Sequence, residues 1–354
     1  FDNIFNLHRI LIYSKPNIRM SSIFPKLSFQ EWYQVLYGLW PSNPQFTEKD
    51  ISSNTLKDKV VVITGGNSGI GYETAKVLAG NTEARIYIWA RNRQKSIEAI
   101  EKIKLEVAEK HLKDVGDRLQ FIQIDLSDLN SIEPAVKEFL QREQRLDIIY
   151  HNAGVMESPL DQKTKQDYQM ELGVNCIGPQ LLQTLLDPLF IKTAEKNPPN
   201  LSRIVWVSST AHMFSPIGGM YLRDPEFKSI DVELKTKYDQ SKAINLIQAR
   251  QWNIHHPGAN AISLSLCPGY LKTGIQRHVT GLTKLAYNLF FHDQKMGVYT
   301  LLFAGLSPEI TTKNKGDHVI SFGKLGLIRP DLKDDENGKK VWDYLQDKIK
   351  LYVR

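Results

Sequence analysis

A tyrosine and a lysine stand four residues apart in the segment Tyr238-Asp-Gln-Ser-Lys242. On a helix this spacing places both side chains on one face, one turn apart. A free phenol has a pKa of about 10 and exchanges protons poorly at neutral pH, but a nearby ammonium favours the phenolate and lowers that pKa. The pair is therefore a candidate for proton transfer, although the same spacing also occurs on helix faces that only meet solvent.

A glycine-rich segment, Thr64-Gly-Gly-Asn-Ser-Gly-Ile-Gly71, follows an apolar run that is typical of a strand. Glycines permit a tight turn and a close approach to phosphate, and free amides at a helix N-terminus favour negative charge. The spacing is G-x-x-x-G-x-G, which differs from the commonest dinucleotide fingerprint. A purely structural turn is the alternative to a pyrophosphate-binding loop. The candidate phosphate ligands are Gly65, Asn67, Ser68, Gly69, Ile70 and Gly71.

The position that would select between two nicotinamide cofactors is Arg91, twenty residues after Gly71. A carboxylate at the end of the second strand binds the ribose 2′-hydroxyl of NAD. The segment Ala90-Arg-Asn-Arg93 offers no carboxylate, whereas a guanidinium can pair with a 2′-phosphate. The sequence therefore favours NADP(H) over NAD(H). A solvated charge at a strand end is the simpler alternative for this arginine.

Polar side chains also follow the third and fifth predicted strands. Asp125, which precedes Leu126, ends the third strand on the side where an adenine would lie. Its alternative role is to cap a helix, which Ser127 could equally do. Ser208 and Ser209 end the fifth strand. Ligands of open α/β sheets bind beyond the carboxyl ends of the strands, so these residues and the tyrosine–lysine pair are expected at one edge.

The elements that position these residues alternate between strands and helices. Six apolar runs lack period-two alternation, as expected for parallel strands buried on both faces; they are 60–64, 85–90, 119–124, 146–151, 203–208 and 261–266. Helical patterns separate them, beginning at 71–79 and 94–113. The sequence predicts an α/β fold, a single doubly wound parallel sheet (Rossmann fold) with helices on both faces. We expect an N-terminal extension over 1–58, this domain over 59–330, and a C-terminal helical extension over 331–354.

Composition excludes several classes of protein. The 354 residues include 45 Lys+Arg and 39 Asp+Glu, and 42% are hydrophobic, which is ordinary for a globular chain and excludes collagen or general disorder. Two cysteines exclude a disulfide framework or a multi-cysteine metal site and suggest a reducing compartment. Basic residues are scattered rather than clustered, so we expect no nucleic-acid partner. No apolar run reaches the length of about 18 residues typical of a membrane span.

The N-terminal extension contains a predicted amphipathic helix. Ser28 and Glu31 form a capping-box pattern, and aromatic residues follow at helical spacing until Pro41. Two interpretations stay open: the helix packs on the main domain, or its aromatic face lies at a membrane or lipid-droplet surface. The second places the protein on the cytosolic face of the endoplasmic reticulum or a lipid droplet. Met20 is a plausible initiator, which would make residues 1–19 an extension or tail.

Six motifs in order identify a family. Over residues 59–325 the chain resembles the short-chain dehydrogenase/reductases. The matching motifs are TGGNSGIG, IDLSD, Asn152-Ala-Gly154, VSS, YDQSK and Cys267-Pro-Gly269. Within the family it looks most like the retinol-dehydrogenase and WW-domain-oxidoreductase branch and its fungal members, because of the WARN second strand and the segment Val207-Ser-Ser-Thr-Ala-His212.

The resemblance implies a role for each matching residue. Tyr238 would be the general acid in carbonyl reduction and the base in the reverse direction. Lys242 would lower its pKa and bind the nicotinamide ribose, while Ser209, rather than Ser208, would polarise the substrate oxygen. Asn175 would bind a water that links the lysine to a proton relay. The residues implied to line the nicotinamide half of the cofactor are Asn152, Ala153, Gly154, Pro268, Gly269, Leu271 and Thr273.

The expected function is an NADP(H)-dependent oxidoreductase that transfers hydride between nicotinamide and a carbonyl or alcohol. The apolar stretch 279–291 lies where family members carry a substrate lid and favours a lipophilic substrate such as a retinoid, sterol or long-chain aldehyde or ketone. The same residues could instead pack on the domain. The alternative function is an NADP(H)-binding scaffold or regulator with little turnover. The resemblance also implies a homo-oligomer built through helices that flank the tyrosine.

Overall fold

A computed structural model of the chain describes residues 23–52, 54–112, 114–272 and 291–353. Thr273 and the part of the apolar stretch from 279 to 290 lie outside these described residues. Among the residues that are described, no helix is both long enough and apolar enough to cross a membrane.

Eight strands form one sheet within the described residues, in the order β3-β2-β1-β4-β5-β6-β7-β8. Their bounds are β1 Val60–Thr64, β2 Arg85–Ala90, β3 Leu119–Gln123, β4 Ile148–His151, β5 Ser202–Val207, β6 Ala261–Leu266, β7 His318–Ile320 and β8 Lys324–Leu325. Strands β1 to β7 pair in parallel, and β8 pairs antiparallel to β7. The strand order reverses between β1 and β4, the place where open α/β sheets bind ligands.

Helices cover both faces of this sheet. In chain order they are α1 Phe29–Tyr37, α2 Gly69–Asn81, α3 Arg93–His111, α4 Ile132–Arg142, α5 (Met170–Leu172, a π turn at Gly173–Ile177, then Gly178–Ala194), α6 Leu234–His255, α7 Gln294–Leu306, α8 Pro330–Lys333 and α9 Asp335–Ile349. Helices α4, α5, α6 and α9 contribute to one core, and α2, α3 and α7 to the other. The predicted doubly wound fold is confirmed, including the N-terminal helix and the C-terminal helical extension.

The sequence of strand β1 lacks the alternation of apolar and polar residues because both of its faces are buried. Val60 and Val62 belong to the core on one face, and Val61 and Ile63 belong to the core on the other, with all four side chains fully buried. Full burial of a side chain of this size contributes about 1.5–3 kcal/mol. Both faces therefore demand apolar residues, and the continuous run follows from the two-sided burial.

Strands β7 and β8 were not predicted. They contain three and two residues, which is too few for a periodic pattern to show. Because they extend the sheet past β6, they bring the chain after α7 back to the edge where the candidate site lies.

The N-terminal helix has two different faces. Its predicted capping box is present: the Ser28 hydroxyl accepts from the Glu31 amide at 3.4 Å, and the Glu31 carboxylate accepts from the Ser28 amide at 2.6 Å. Val35 is buried, whereas Phe29 is 84% and Tyr33 is 63% exposed. The helix thus packs on the domain with one face, as the first interpretation predicts, and presents an aromatic face to solvent.

Candidate active site

The glycine-rich loop joins β1 to α2 and has one closed side and one open side. Gly65 adopts φ +67°, which few other residues tolerate. A Cβ on Gly71 would lie 2.6 Å from both the Asn152 side-chain nitrogen Nδ2 and the Gly65 carbonyl oxygen, so only glycine fits there. A Cβ on Gly69 would meet nothing within 4 Å.

That open side fits a phosphate group. Ser68 is the N-cap of α2, yet its exposed side chain makes no capping hydrogen bond. The first amides of a helix have no partners within the helix, and together with the free hydroxyl they form a site for an anion. Asn67 and Ile70 are partly exposed beside it, in the loop and the first turn. The predicted loop residues are therefore brought together in an arrangement that a dinucleotide pyrophosphate would fit.

Thr64 ties this loop to the end of β4, a role that sequence reasoning missed. Its hydroxyl accepts from the amides of Asn152 and Ala153, both at 3.0 Å, and the Asn152 side chain donates to the Thr64 carbonyl at 2.9 Å. A Cβ on Gly65 would lie 3.1 Å from Ala153 Cα. The signal was available, because this threonine both ends the first strand and begins the glycine motif.

Arg91 directly follows β2 and is exposed. Its carbonyl accepts from the Gln123 side chain at 3.1 Å, while within the described part of the chain its guanidinium has no hydrogen-bonding partner. Asn92, the next residue, caps α3 by accepting from the Lys95 amide at 2.9 Å. The main chain of Arg91 is thus held in place, while its charged side chain, without a partner among the described residues, lies at the carboxyl edge of the sheet.

Asp125 organises its own loop. One carboxylate oxygen accepts from the Ser127 amide at 3.0 Å and from the Ser127 hydroxyl at 2.6 Å, and its main chain exchanges two hydrogen bonds with Ser131. The side chain of Leu126 is buried, which leaves only its main chain available to a ligand. The half-exposed carboxylate still lies at the predicted end of the third strand.

The two serines after β5 have different partners. The Ser208 hydroxyl is buried and donates to the Lys242 carbonyl at 2.6 Å, which ties the strand to α6. The half-buried Ser209 instead lies close enough to the Tyr238 phenol to influence its pKa, and the serine oxygen accepts from the Ala211 amide at 3.2 Å. Ser209 is therefore the serine that shares a site with the tyrosine.

The environment of Tyr238 corrects one expectation. Burial raises the pKa of its phenol, and the nearby Ser209 side chain acts in the opposite direction without outweighing burial. The Lys242 ammonium lies 5.5 Å from the centre of the phenol ring and donates to the Val207 carbonyl at 2.9 Å and to the Asn245 side chain at 3.3 Å. The predicted net lowering of the tyrosine pKa is thus wrong for this arrangement, because desolvation outweighs the effect of the nearby charge, whose hydrogen bonds go to Val207 and Asn245. The phenol stays protonated at neutral pH and can act as a proton donor.

Lys242 is itself perturbed, since burial lowers its pKa to about 8. It stands next to the 152–154 segment: a Cβ on Gly154 would lie 3.4 Å from the ammonium nitrogen and 3.1 Å from Asn175 Oδ1. The loop that contacts the glycine motif therefore also contacts the catalytic candidates. The predicted phosphate-loop residues and the predicted proton-transfer residues therefore lie next to each other in one site.

Asn175 lies in the π turn of α5, a rare geometry that is frequent at functional sites. Its side-chain oxygen accepts from the Val155 amide at 2.8 Å, and its nitrogen donates to the Val155 carbonyl and the Ser241 hydroxyl, both at 2.9 Å. Its own carbonyl accepts from the Asn245 side chain at 2.7 Å. Here the asparagine holds the 154–155 loop against α6. Ser241 and Asn245 were missed, although both lie within one helical turn of Lys242.

The segment after β6, which contains Pro268, Gly269 and Leu271, contacts the turn that follows Ser209. Gly269 adopts φ +105°, and a Cβ there would lie 2.9 Å from Ser321 Oγ. Pro268 is buried, and Leu271 packs on Gly297 at the start of α7. The hydroxyl and amide of Thr210 contact the Cys267 sulfur at 3.1 Å, which joins this segment to the turn after Ser209. Within the described residues, no three His, Cys, Asp or Glu side chains form a group that could hold a metal ion.

The chain is similar to known proteins of one family. Residues 59–221 match the short chain dehydrogenase family model. The chain is 37% identical over 337 residues to a short-chain dehydrogenase/reductase of Phomopsis amygdali, covering 91% of this chain and 97% of that protein. It is 35% identical over 323 residues to the short-chain dehydrogenase/reductase pkfC of Emericella nidulans, covering 90% of this chain and all of that protein.

Two solved structures illustrate the fold. An uncharacterized protein from Mycobacterium paratuberculosis has a TM-score of 0.62 at 25% identity, covering 86% of this chain and 97% of the other. The NADPH-bound carbonyl reductase from chicken fatty liver has a TM-score of 0.56 at 21% identity, covering 77% of this chain and all of the other.

Proposed function

We propose, from the premise that the chain belongs to the short-chain dehydrogenase/reductase family, that it is an NADP(H)-dependent oxidoreductase acting on the carbonyl or alcohol of a lipophilic substrate. One observation carries the proposal: Tyr238 and Ser209, whose side chain acts on the tyrosine pKa, lie with Lys242 beside the loop that contacts the glycine motif. Proton-transfer groups and a phosphate-binding loop are thus assembled at one edge of the sheet.

The chain's own residues would bind, polarise and protonate. Ser209 would donate a hydrogen bond to the substrate oxygen, and the protonated Tyr238 would give its proton to that oxygen as the carbonyl carbon is reduced. The phenolate left behind would be stabilised by the charged form of Lys242 and then take a proton from solvent. The nicotinamide cofactor, when bound, would supply the hydride. In the reverse direction the same phenol oxygen would accept the proton.

The cofactor preference is supported by Arg91. Its guanidinium at the end of β2 is exposed and has no partner among the described residues, which suits bidentate pairing with a 2′-phosphate. The amides and free Ser68 hydroxyl at the start of α2 would hold the pyrophosphate. One structural neighbour is described with NADPH and another, a 3-ketoacyl reductase from Brucella melitensis, with NADH, so the choice depends on this chain's own arginine.

The lipophilic substrate class is supported by the apolar sequence of 279–291. Its described end, Phe291, lies edge-to-face with Tyr270 at 5.6 Å between ring centres, and His292 meets Phe322 in the same way at 5.3 Å. These rings border the segment that follows β6, where Pro268 and Gly269 lie. An aromatic border beside the proton-transfer groups would favour an apolar substrate over a charged one.

We also propose attachment to a lipid surface through α1, at the cytosolic face of the endoplasmic reticulum or at a lipid droplet. Phe29, Tyr33 and Trp40 are 84%, 63% and 65% exposed, and the Lys324 ammonium lies 5.2 Å from the Tyr37 ring centre. Exposed aromatic rings flanked by lysine are the combination that binds at lipid interfaces.

The experiment that tests the function follows NADPH oxidation by the purified full chain with retinal, steroid ketones and long-chain aldehydes. We expect turnover with at least one of these classes and slower turnover with NADH. Tight NADPH binding without turnover on any carbonyl would contradict the proposal and favour an NADP(H)-binding scaffold. Faster turnover with NADH would contradict the role given to Arg91.

A further inference from the structure

We propose that Arg329, a residue outside the predicted site, positions Ser209 by holding the turn that follows it, and that residues 23–37 close the same turn from outside. The inference rests on the proposed function, because it assigns a role within that reaction. The partners of Arg329 in this turn are main-chain carbonyls more than 100 positions away in sequence, so no local pattern around Arg329 could have indicated this role.

The turn in question begins at Ser209, the N-cap of the short helix Thr210–Phe214, and runs on to Pro216. Arg329 is only 2% exposed, and its guanidinium donates to four successive or near-successive carbonyls of this turn. They are those of His212 at 3.3 Å, Met213 at 2.8 Å, Ser215 at 3.0 Å and Pro216 at 3.0 Å. A buried turn that presents four carbonyls to one side chain needs a donor-rich partner, and only arginine offers five N–H groups in one plane.

Asp331 fixes the orientation of that guanidinium. Its carboxylate accepts from Arg329 Nε at 2.7 Å and Nη2 at 2.6 Å, and also from the Gly218 amide at 2.7 Å. Burial would raise the pKa of Asp331, but the hydrogen bonds and charge of Arg329 outweigh burial and hold the pKa below its usual value. The carboxylate therefore stays ionised, and the buried arginine has a paired charge.

Residues 23–37 contact the same turn from the solvent side. The Trp32 and Phe214 rings lie 5.9 Å apart, and Val35 is buried in a small cluster with Met213 and Phe214. The Ile23 carbonyl accepts from the Ile217 amide at 2.9 Å. The turn is thus enclosed between the N-terminal segment and a residue near the C-terminus.

Ser209 receives this constraint directly. Its carbonyl accepts from the His212 amide at 3.1 Å and from the His212 imidazole Nδ1 at 2.6 Å. Arg329 holds the carbonyl of that same histidine, so the main chain that carries the serine hydroxyl cannot shift unless the turn deforms. A misplacement of about 1 Å can cost a factor of about 100 in rate, which makes such a constraint valuable.

Arg329→Lys tests the inference, since it keeps the charge but cannot reach all four carbonyls and both carboxylate oxygens. We expect kcat to fall about 10- to 100-fold with little change in KM for NADPH, because the phosphate loop lies elsewhere. In the Ser209→Ala background the same substitution should have almost no further effect on kcat. Asp331→Asn should change kcat in the same direction but less, and Asp335→Asn, whose side chain is 71% exposed, serves as its control.

A second readout needs no catalysis. In the cofactor-free protein, Arg329→Lys should speed amide hydrogen exchange in residues 209–217 and leave the β1 amides protected. Unchanged exchange there would overturn the inference, as would an equal loss of kcat in the wild-type and Ser209→Ala backgrounds. If the wild-type chain reduces no carbonyl, the proposed function fails, while the exchange result still decides whether Arg329 holds the turn.

Discussion

At the scale of single residues, Lys242 carries a charge that changes near neutral pH. Burial lowers the pKa of its ammonium to about 8, and burial also raises the pKa of Tyr238, so the phenol keeps its proton throughout this range. Below that value the lysine is charged and can stabilise the phenolate formed during reduction. Above it the charge is lost, and with it that stabilisation.

We therefore predict that kcat for carbonyl reduction falls as pH rises through about 8, measured as a pH–rate profile. Lys242→Arg, which keeps its charge, should remove this alkaline decline even if its rate is lower. Lys235→Arg, on the same helix and paired with Asp239, is the matched control and should keep the wild-type profile. A wild-type rate that stays level from about pH 7 to about pH 10 would refute the role of the ammonium.

Arg91 is the second residue whose role can be isolated. If its guanidinium binds a 2′-phosphate, Arg91→Ala should raise KM for NADPH about 10- to 100-fold, the effect of losing a hydrogen bond to a charged group, and leave KM for NADH nearly unchanged. Lys110→Ala removes one positive charge from the far end of α3 and controls for the overall field. Equal effects of the two substitutions would show that the arginine makes no specific contact.

At the scale of elements, α1 has two faces with different surroundings. The buried face holds the turn after Ser209, and the exposed face carries Phe29 and Tyr33. The double substitution Phe29→Ser/Tyr33→Ser should abolish flotation with phosphatidylcholine–phosphatidylserine vesicles, because it removes the apolar area that enters the interface. The melting temperature should hardly change, since neither side chain is buried.

Leu112→Ser is the control for that experiment, because this leucine is 94% exposed at the end of α3, away from the aromatic face. Undiminished flotation of the double variant would rule out α1 as the lipid-binding element. Loss of flotation in the control as well would show that the effect is not specific to this helix.

Elements with a strong local pattern could be predicted, and those without one could not. Strands β1 and β6 matched because a continuous apolar run is required by burial on both faces. The π turn that holds Asn175 has no distinct signature, since it depends on the contacts of that side chain with the 154–155 loop and α6. Likewise, the Tyr238–Lys242 spacing indicated a common face but not the direction of the ammonium, which the carbonyl of Val207 determines.

At the scale of the whole molecule, three buried histidines make folding sensitive to acid. Burial lowers the pKa of His151 and of His212 to about 4 and lowers that of His318 well below its usual value. Because their pKa values in the folded state lie below those in the unfolded state, the unfolded chain binds more protons in the interval from about 6.5 down to about 4. Stability is therefore complete above that interval and is lost as pH falls through it.

We predict that the free energy of unfolding decreases between pH 7 and pH 5 by about 2 kcal/mol for each such histidine. His151→Asn should flatten this dependence in denaturant unfolding curves, because it removes one of the three groups. His255→Asn replaces an exposed histidine and should leave the dependence as it is. If the His151 variant and the wild type lose stability in parallel, the histidine is not a source of the acid sensitivity.

Segments near the N-terminus and the C-terminus meet close to the turn after Ser209, and no local sequence pattern could reveal this contact. The Gln34 side chain bonds the main chain of Leu327 across 293 positions, and Arg329 reaches the carbonyl of His212 across 117. Helix α9 likewise buries Val341, Trp342 and Leu345 in the core that α6 shares. The periodicity of a short stretch of sequence predicts a helix and its apolar face, but it does not indicate the element on which that face packs.

The most direct measurement compares Tyr238→Phe with the wild-type chain, using the best carbonyl substrate and recording both single-turnover NADPH oxidation and NADPH affinity by fluorescence. The phenol oxygen is the proposed proton donor, so we predict a rate lower by about 100- to 10,000-fold with unchanged NADPH affinity. A variant that reduces the carbonyl as fast as the wild type would contradict the assignment of Tyr238, and with it the proposed reaction at this site.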